Sequence, residues 1–135
     1  MGTVSIDHLA MPTANAERLL EFYKRLGFAI NDEAEWRAGT ASIFSIQVGD
    51  SKINMHPEGY TASLRGPTAT PGCGDICFVW DDTVEECQAW LTESGVEVIR
   101  GPGPRKGARA RGSLPAESLY ARNPDENLLE WMVYL

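Results

Sequence analysis

The sequence predicts an α+β fold built from two tandem modules, each with the order strand, helix, strand, strand, strand. Two amphipathic helices, one in each half, supply the first observation. The second is a numerical repeat: Asp7 and Asp75, Asn15 and Thr83, Leu19 and Cys87, Phe22 and Trp90, Tyr23 and Leu91, and Gly27 and Gly95 each stand 68 residues apart. A third is negative, because two helices are too few for a doubly wound sheet, which alternates strand and helix throughout.

The elements follow in order. Residues 5–11 read as a strand that stops at Pro12. Asn15 then caps a helix whose apolar stripe is Leu19, Phe22, Tyr23 and Leu26, at i, i+3, i+4 and i+7. Gly27 tolerates the positive φ that ends a helix. Residues 28–30 continue as a strand, and a polar stretch runs on through Gly39. Residues 41–48 and 52–56 form a strand pair around the turn signal Gly49-Asp50, and Pro57 closes the first module. The second module opens with a strand at residues 75–80. Thr83 and Glu86 make a capping box, Val84, Cys87 and Leu91 form the helix stripe, and Gly95 ends it. Strands are expected at residues 96–99, 118–122 and 128–135, with the turn Asn123-Pro124-Asp125 before the last.

Composition narrows the function. Twelve Lys and Arg against nineteen Asp and Glu give a net charge of −7, which disfavours a nucleic-acid binder because phosphate neutralisation takes a clustered excess of cations. Residues 105–111 are the local exception, with Arg105, Lys106, Arg109 and Arg111 in seven positions; they read either as a solvated loop or as an anion-binding lid. No run is long enough to span a membrane, and the first residues lack the pattern of a signal peptide, so the expected location is cytoplasmic. Cys73, Cys77 and Cys87 have neither the number nor the spacing of a disulfide framework or zinc ribbon. Cys77 and Cys87 read as packing residues.

Three residues carry chemistry where an apolar strand has no need of it. Glu130 sits between Leu128-Leu129 and Trp131-Met132, and a buried carboxylate without a partner costs several kcal/mol, on the order of 3 or more. His8 and His56, the two histidines of the chain, both fall on strands. Two imidazoles and a carboxylate form a facial ligand set with open positions, suited to Fe(II), Mn(II), Ni(II) or Zn(II). The alternative reading is a Glu that reaches solvent or pairs with an Arg of the basic loop. Trp36, one of four tryptophans, is expected to line an apolar cleft.

The strand-one Asp7-His8-Leu9, the helix end Glu21-Phe22-Tyr23 with Leu26-Gly27-Phe28, and the segment from Tyr120 to Glu130 carry a resemblance to the vicinal oxygen chelate superfamily. That superfamily includes glyoxalase I, bleomycin-resistance proteins and extradiol dioxygenases. The resemblance implies one domain over residues 1–135, with modules at about 4–57 and 74–135 whose eight strands curl around a cleft with helices outside. It also implies a homodimer and a divalent metal held by ligands on the first and fourth strands of each module. By this carry-over His8 and Glu130 match ligand positions. The second module's opening position falls on Ile76, 68 residues after His8, and Ile cannot bind metal. The slot on the fourth strand falls on Asn54, with His56 next on the same face, so His56 can take the missing place. The expected activity is that of a metal-dependent lyase, isomerase or dioxygenase on a small vicinally oxygenated substrate that can be anionic. Glu130 is its proton acceptor, and Asn54, Arg109, Arg111, Trp36 and Tyr120 are its substrate contacts. The alternative is a metal-free bleomycin-resistance-type protein that sequesters a small molecule in a dimer cleft.

Overall fold

The computed structural model describes residues 2–135. The chain divides into two compact units, residues 1–73 and 74–135. The first contains β1 (His8–Pro12), α1 (Ala16–Arg25), β2 (Ile30–Asn31), α2 (Glu33–Ala38), β3 (Phe44–Val48) and β4 (Ser51–His56). The second contains β5 (Asp75–Val79), α3 (Val84–Glu93), β6 (Arg100–Arg105), a short 3-10 turn at Arg109–Gly112, β7 (Ala116–Arg122) and β8 (Leu128–Tyr134). Each unit holds one four-stranded mixed sheet, in the order β1-β4-β3-β2 and β5-β8-β7-β6. In both, the first strand runs parallel to the last and the other pairs are antiparallel. The fold is α+β with two tandem modules, as the repeat predicts. Among the described residues no helix is long and apolar enough to cross a membrane.

Each sheet has a helix face and a polar face, because successive strand residues point to opposite sides. Met11, Phe44, Ile46, Ile53 and Met55 are buried on the helix face of the first unit, with Leu19, Leu20, Phe22 and Tyr23 of α1 also buried. The second unit repeats this with Phe78, Leu119, Ala121, Leu129, Trp131 and Val133 and the α3 residues Cys87 and Leu91. Trp90 of α3 meets Trp131 edge to face at 5.9 Å and stacks on Trp80 at 4.7 Å. The capping predictions hold: Arg18 N donates to Asn15 Oδ1 at 3.1 Å, and Glu86 N to Thr83 Oγ1 at 3.1 Å.

Besides shifts of one to three residues at the ends of the other strands, three features differ from the sequence reading. The first strand starts at His8, not at residue 5, and includes Pro12. The polar stretch before Gly39 contains α2, a six-residue helix between Asp32 (φ 63°) and Gly39 (φ 80°), too short to show a periodic stripe. In the second unit the strand expected at residues 96–99 lies instead at Arg100–Arg105. Val96 belongs to the helix exit, where its N–H donates to Leu91 O at 2.8 Å. Pro102 and Pro104 made this segment look like a loop, yet β6 is an edge strand, where a missing N–H is tolerated. Its pairing with β7 is irregular between Arg100 and Gly103.

Candidate functional site

The polar face of each sheet is fixed by register. In the first unit Ala10 pairs with Asn54, Asn54 with Ser45, and Ser45 with Asn31, so these four form one row across β1, β4, β3 and β2. His8, Lys52 and Gln47 form the row beside it, and Pro12 pairs with His56 at the far end. In the second unit Cys77, Glu130, Tyr120 and Arg100 make a row across β5, β8, β7 and β6. Asp75, Leu128 and Arg122 make its neighbour.

Superimposing one ladder on the other corrects the sequence reading of the ligand positions. Thr13 N donates to His56 O and Trp80 N to Met132 O, both at 2.9 Å, which makes Thr13 equivalent to Trp80 and His56 to Met132. Counting back along the strands, His8 corresponds to Asp75, Ala10 to Cys77 and Asn54 to Glu130. The spacing is therefore 67 in the opening strands, against 68 in the helices. Ile76 points to the helix face beside Leu129. The position equivalent to His8 is occupied by a carboxylate, Asp75, which the sequence reading passed over.

His8 is half exposed, and its Nδ1 lies 2.7 Å from Asp7 Oδ2. A carboxylate on one ring nitrogen fixes the tautomer and leaves Nε2 free, the arrangement found behind metal-binding imidazoles. His56 stands four residues further along the same ladder, a rise of about 13 Å. Since a metal–imidazole bond is about 2.1 Å, these two rings are not gathered at one centre by the sheet. His56 instead packs edge to face on Tyr60 at 5.3 Å and lines a cavity of about 330 Å³ with Glu58, Tyr60 and Arg65. Among the described residues no three His, Cys, Asp or Glu side chains form a metal-holding group.

Asn54 lies on the polar face, and its Oδ1 is buried without a hydrogen-bond partner. Glu130 accepts from Ser118 Oγ at 2.7 Å, which holds its Oε2. Cys77 beside it is surface exposed and is not a packing residue, unlike the fully buried Cys87. Partial burial of its sulfur, then the negative charges of Glu130 and Asp75, push the Cys77 thiol up to about 12. It is a poor nucleophile at neutral pH.

The remaining expected contacts divide. Tyr120 lies between Arg100 and Glu130, and its Oη accepts from Arg105 Nε at 2.9 Å. Arg109 stacks over the Tyr134 ring at 4.7 Å, and its backbone N–H donates to Tyr134 Oη at 3.2 Å. Arg111 sits in the left-handed region (φ 55°) of the turn that follows. Trp36 packs on Phe44 at 5.0 Å, on the helix side of its sheet and away from the face carrying His8. Asp75, Glu130, Tyr120, Arg100, Arg105 and Arg122 share one cavity of about 430 Å³ in the second unit. Arg100 was missed because its segment read as a Pro-Gly loop.

Known proteins with this architecture place the chain. The curated protein RDO1 of Mycosarcoma maydis, described as glyoxalase domain-containing, is 33% identical over 130 residues, spanning 96% of this chain and 68% of RDO1. The virulence protein STM3117 of Salmonella typhimurium is 30% identical over 131 residues, 96% of this chain and 84% of that protein; its crystal structure superimposes with a TM-score of 0.84. An integron cassette protein from V. cholerae gives 0.85 at 27% identity, covering 100% of this chain and 98% of that one. The model of the Glyoxalase/Bleomycin resistance protein/Dioxygenase superfamily matches residues 5–131, and this chain belongs to that superfamily.

Proposed function

We propose that this protein is a divalent-metal-dependent lyase, isomerase or dioxygenase acting on a small molecule with neighbouring oxygens, and that its metal ligands are drawn from His8, Asp75 and Glu130. The observation that carries the reading is the pair of carboxylates, Asp75 and Glu130, lining one cavity of the second unit, while His8 holds in the first unit the register position that Asp75 holds in the second. The donor chemistry fits: one imidazole with its second nitrogen already engaged, and two carboxylates, suit Fe(II), Mn(II), Ni(II) or Zn(II). When bound, such an ion supplies Lewis acidity to a chelated oxygen pair.

The chain's own residues have separate tasks. Ser118 holds Glu130 Oε2 beside Cys77, and the carboxylate exchanges a proton with substrate. Tyr120 presents its hydroxyl beside Glu130 and is kept in place by Arg105. Asn54 offers an unpaired buried oxygen to a substrate donor, and Arg109 and Arg111 contribute positive charge on the segment following β6. In this reading both modules act as one domain of a cytoplasmic homodimer.

Metal content by mass spectrometry, after incubation with each of the four ions, tests the ligand set. The wild type and His56→Ala are expected to retain metal, whereas His8→Ala, Asp75→Ala and Glu130→Ala lose it. Loss in His56→Ala with retention in Asp75→Ala restores His56 as the third ligand. No metal in any sample overturns the enzyme reading and leaves a binding protein of the bleomycin-resistance kind.

A further inference from the structure

We propose that the second unit binds the oxyanion group of a short anionic substrate, a carboxylate or phosphate, between Arg100 and Arg105 and two strands away from Glu130. This builds on the functional reading above for the identity of the reacting end, but the anion subsite stands on its own geometry.

Three guanidinium groups and two carboxylates line the cavity of about 430 Å³. Among the described residues, no ion pair within 4.0 Å joins any of these five side chains to another. The contrast is with the first unit, where Lys24, Glu33, Arg37 and Glu17 pair at 2.7 to 2.9 Å on the surface. Three cations against two carboxylates leave the cavity with an excess of positive charge, which suits an added anion.

The three arginines are not equivalent. Arg122 donates to Glu126 O at 2.9 Å and braces the turn before β8. Arg105 is fixed from two sides, with Nε on Tyr120 Oη at 2.9 Å and one terminal nitrogen on Pro104 O at 2.8 Å, and its guanidinium lies 5.3 Å over the Tyr120 ring. Its other terminal nitrogen is left for a ligand. Arg100 pairs in register with Tyr120 and carries an unengaged fork. Such forks match carboxylate and phosphate oxygens two at a time.

Register also sets the ligand's size. Arg100 and Glu130 lie on either side of Tyr120, two strand spacings apart, or about 9.6 Å between backbones. Both side chains rise from the same face, so an anion on Arg100 sits a few bonds from an atom that Glu130 can reach. A small hydroxy- or keto-acid, or a short phosphorylated molecule, meets that distance.

The test uses the full-length protein after metal removal and dialysis, so failure of the metal reading does not affect it. Inorganic phosphate and, separately, malonate are titrated at constant ionic strength while the arginine Nε–H signals are followed by NMR. The expected result is a saturable shift of the Arg100 and Arg105 signals with at least one probe. Arg100→Gln and Arg105→Gln each weaken that probe about tenfold or more, the size of one charge-assisted bond. Arg100→Lys, which keeps the charge and loses the fork, falls between Arg100→Gln and the wild type. Arg25→Gln, the same charge removed from α1, leaves the affinity unchanged. Saturation by malonate alone assigns a carboxylate, and by phosphate alone a phosphate. Linear shifts with both probes, or equal weakening by Arg25→Gln, overturn the proposal.

Discussion

The two modules share a ladder but not a chemistry. The row Ala10, Asn54, Ser45 and Asn31 of the first occupies the places held in the second by Cys77, Glu130, Tyr120 and Arg100. In the first, Asn31 donates to Ser45 Oγ at 3.0 Å and to Gln47 Oε1 at 2.8 Å, so amides and hydroxyls largely satisfy one another. In the second, charged groups line a cavity without pairing. The helix faces stay alike, with Tyr23 and Leu91 each buried at the same helical position. Duplicated architecture thus resides in the apolar face, and divergence in the face that packing does not constrain.

The largest expected effects test whether the two cores stand or fall together. Leu19→Ala and Leu91→Ala each remove a side chain with no exposed surface and are expected to cost about 2–5 kcal/mol. Three of the four tryptophans, Trp80, Trp90 and Trp131, lie in the second unit and report on it by fluorescence. If the units unfold as one, Leu19→Ala lowers the urea midpoint equally by tryptophan fluorescence and by circular dichroism. A midpoint shifted only in the dichroism signal separates them.

Next in size is a contact that the first module lacks. A Cβ at Gly107 meets the Tyr134 hydroxyl and the Met132 sulfur, the far ends of two flexible side chains, so Gly107→Ala pushes those side chains aside. The expected cost is about 1 kcal/mol or less, with loss of the Arg109 stack on Tyr134. Thermal unfolding measures the first, and an altered near-ultraviolet tyrosine signal the second.

Cys77 gives a chemical comparison of the two faces, since Ala10 holds its place in the first module. With its thiol pushed up to about 12 by burial and by Glu130, Cys77 is expected to alkylate far more slowly at pH 8 than the exposed Cys73. Glu130→Gln removes the negative neighbour, lowers the thiol's value and speeds labelling several-fold, read by peptide mass spectrometry. Because the folded value is raised, the protection it reflects is complete below about pH 9 and is lost as pH rises through about 12.

What the sequence made legible follows the strength of each physical signal. The helix stripes and both N-caps stood out because their spacing is local and repeats at 68 residues. The same number misaligned the opening strands, because three residues separate β1 from α1 and four separate β5 from α3. A one-residue difference reverses a strand's faces, so Ile76 was read as the counterpart of His8 where Asp75 stands. Arg100 was illegible for another reason, since the prolines around it conceal an edge strand. Glu126 holds a place in the turn after Asn123-Pro124-Asp125 that favours glycine. Its φ of 72° confirms the left-handed backbone, and Glu126→Gly is expected to stabilise the protein by about 0.5–1 kcal/mol in urea unfolding, leaving the Arg122 bond to its carbonyl intact.

The smallest expected effect tests the paired charges of the first module, the counterpart of the unpaired cavity in the second. Glu33 accepts from Lys24 at 2.8 Å and Arg37 at 2.9 Å, and these cations, Lys24 foremost, hold its carboxyl below the ordinary value. A lowered carboxyl stabilises the fold above its unfolded value of about 4.5, and the contribution is lost as pH falls through the folded value. Glu33→Gln is therefore expected to cost about 0.5 kcal/mol at pH 7, in keeping with a surface pair, and progressively less in acid as the wild-type carboxyl takes up its proton. Urea midpoints of the two proteins measured across that range should converge at low pH and at high salt. A difference that persists unchanged through both would mean that Glu33 acts through packing at the start of α2, and that the charge contrast between the modules carries no stability.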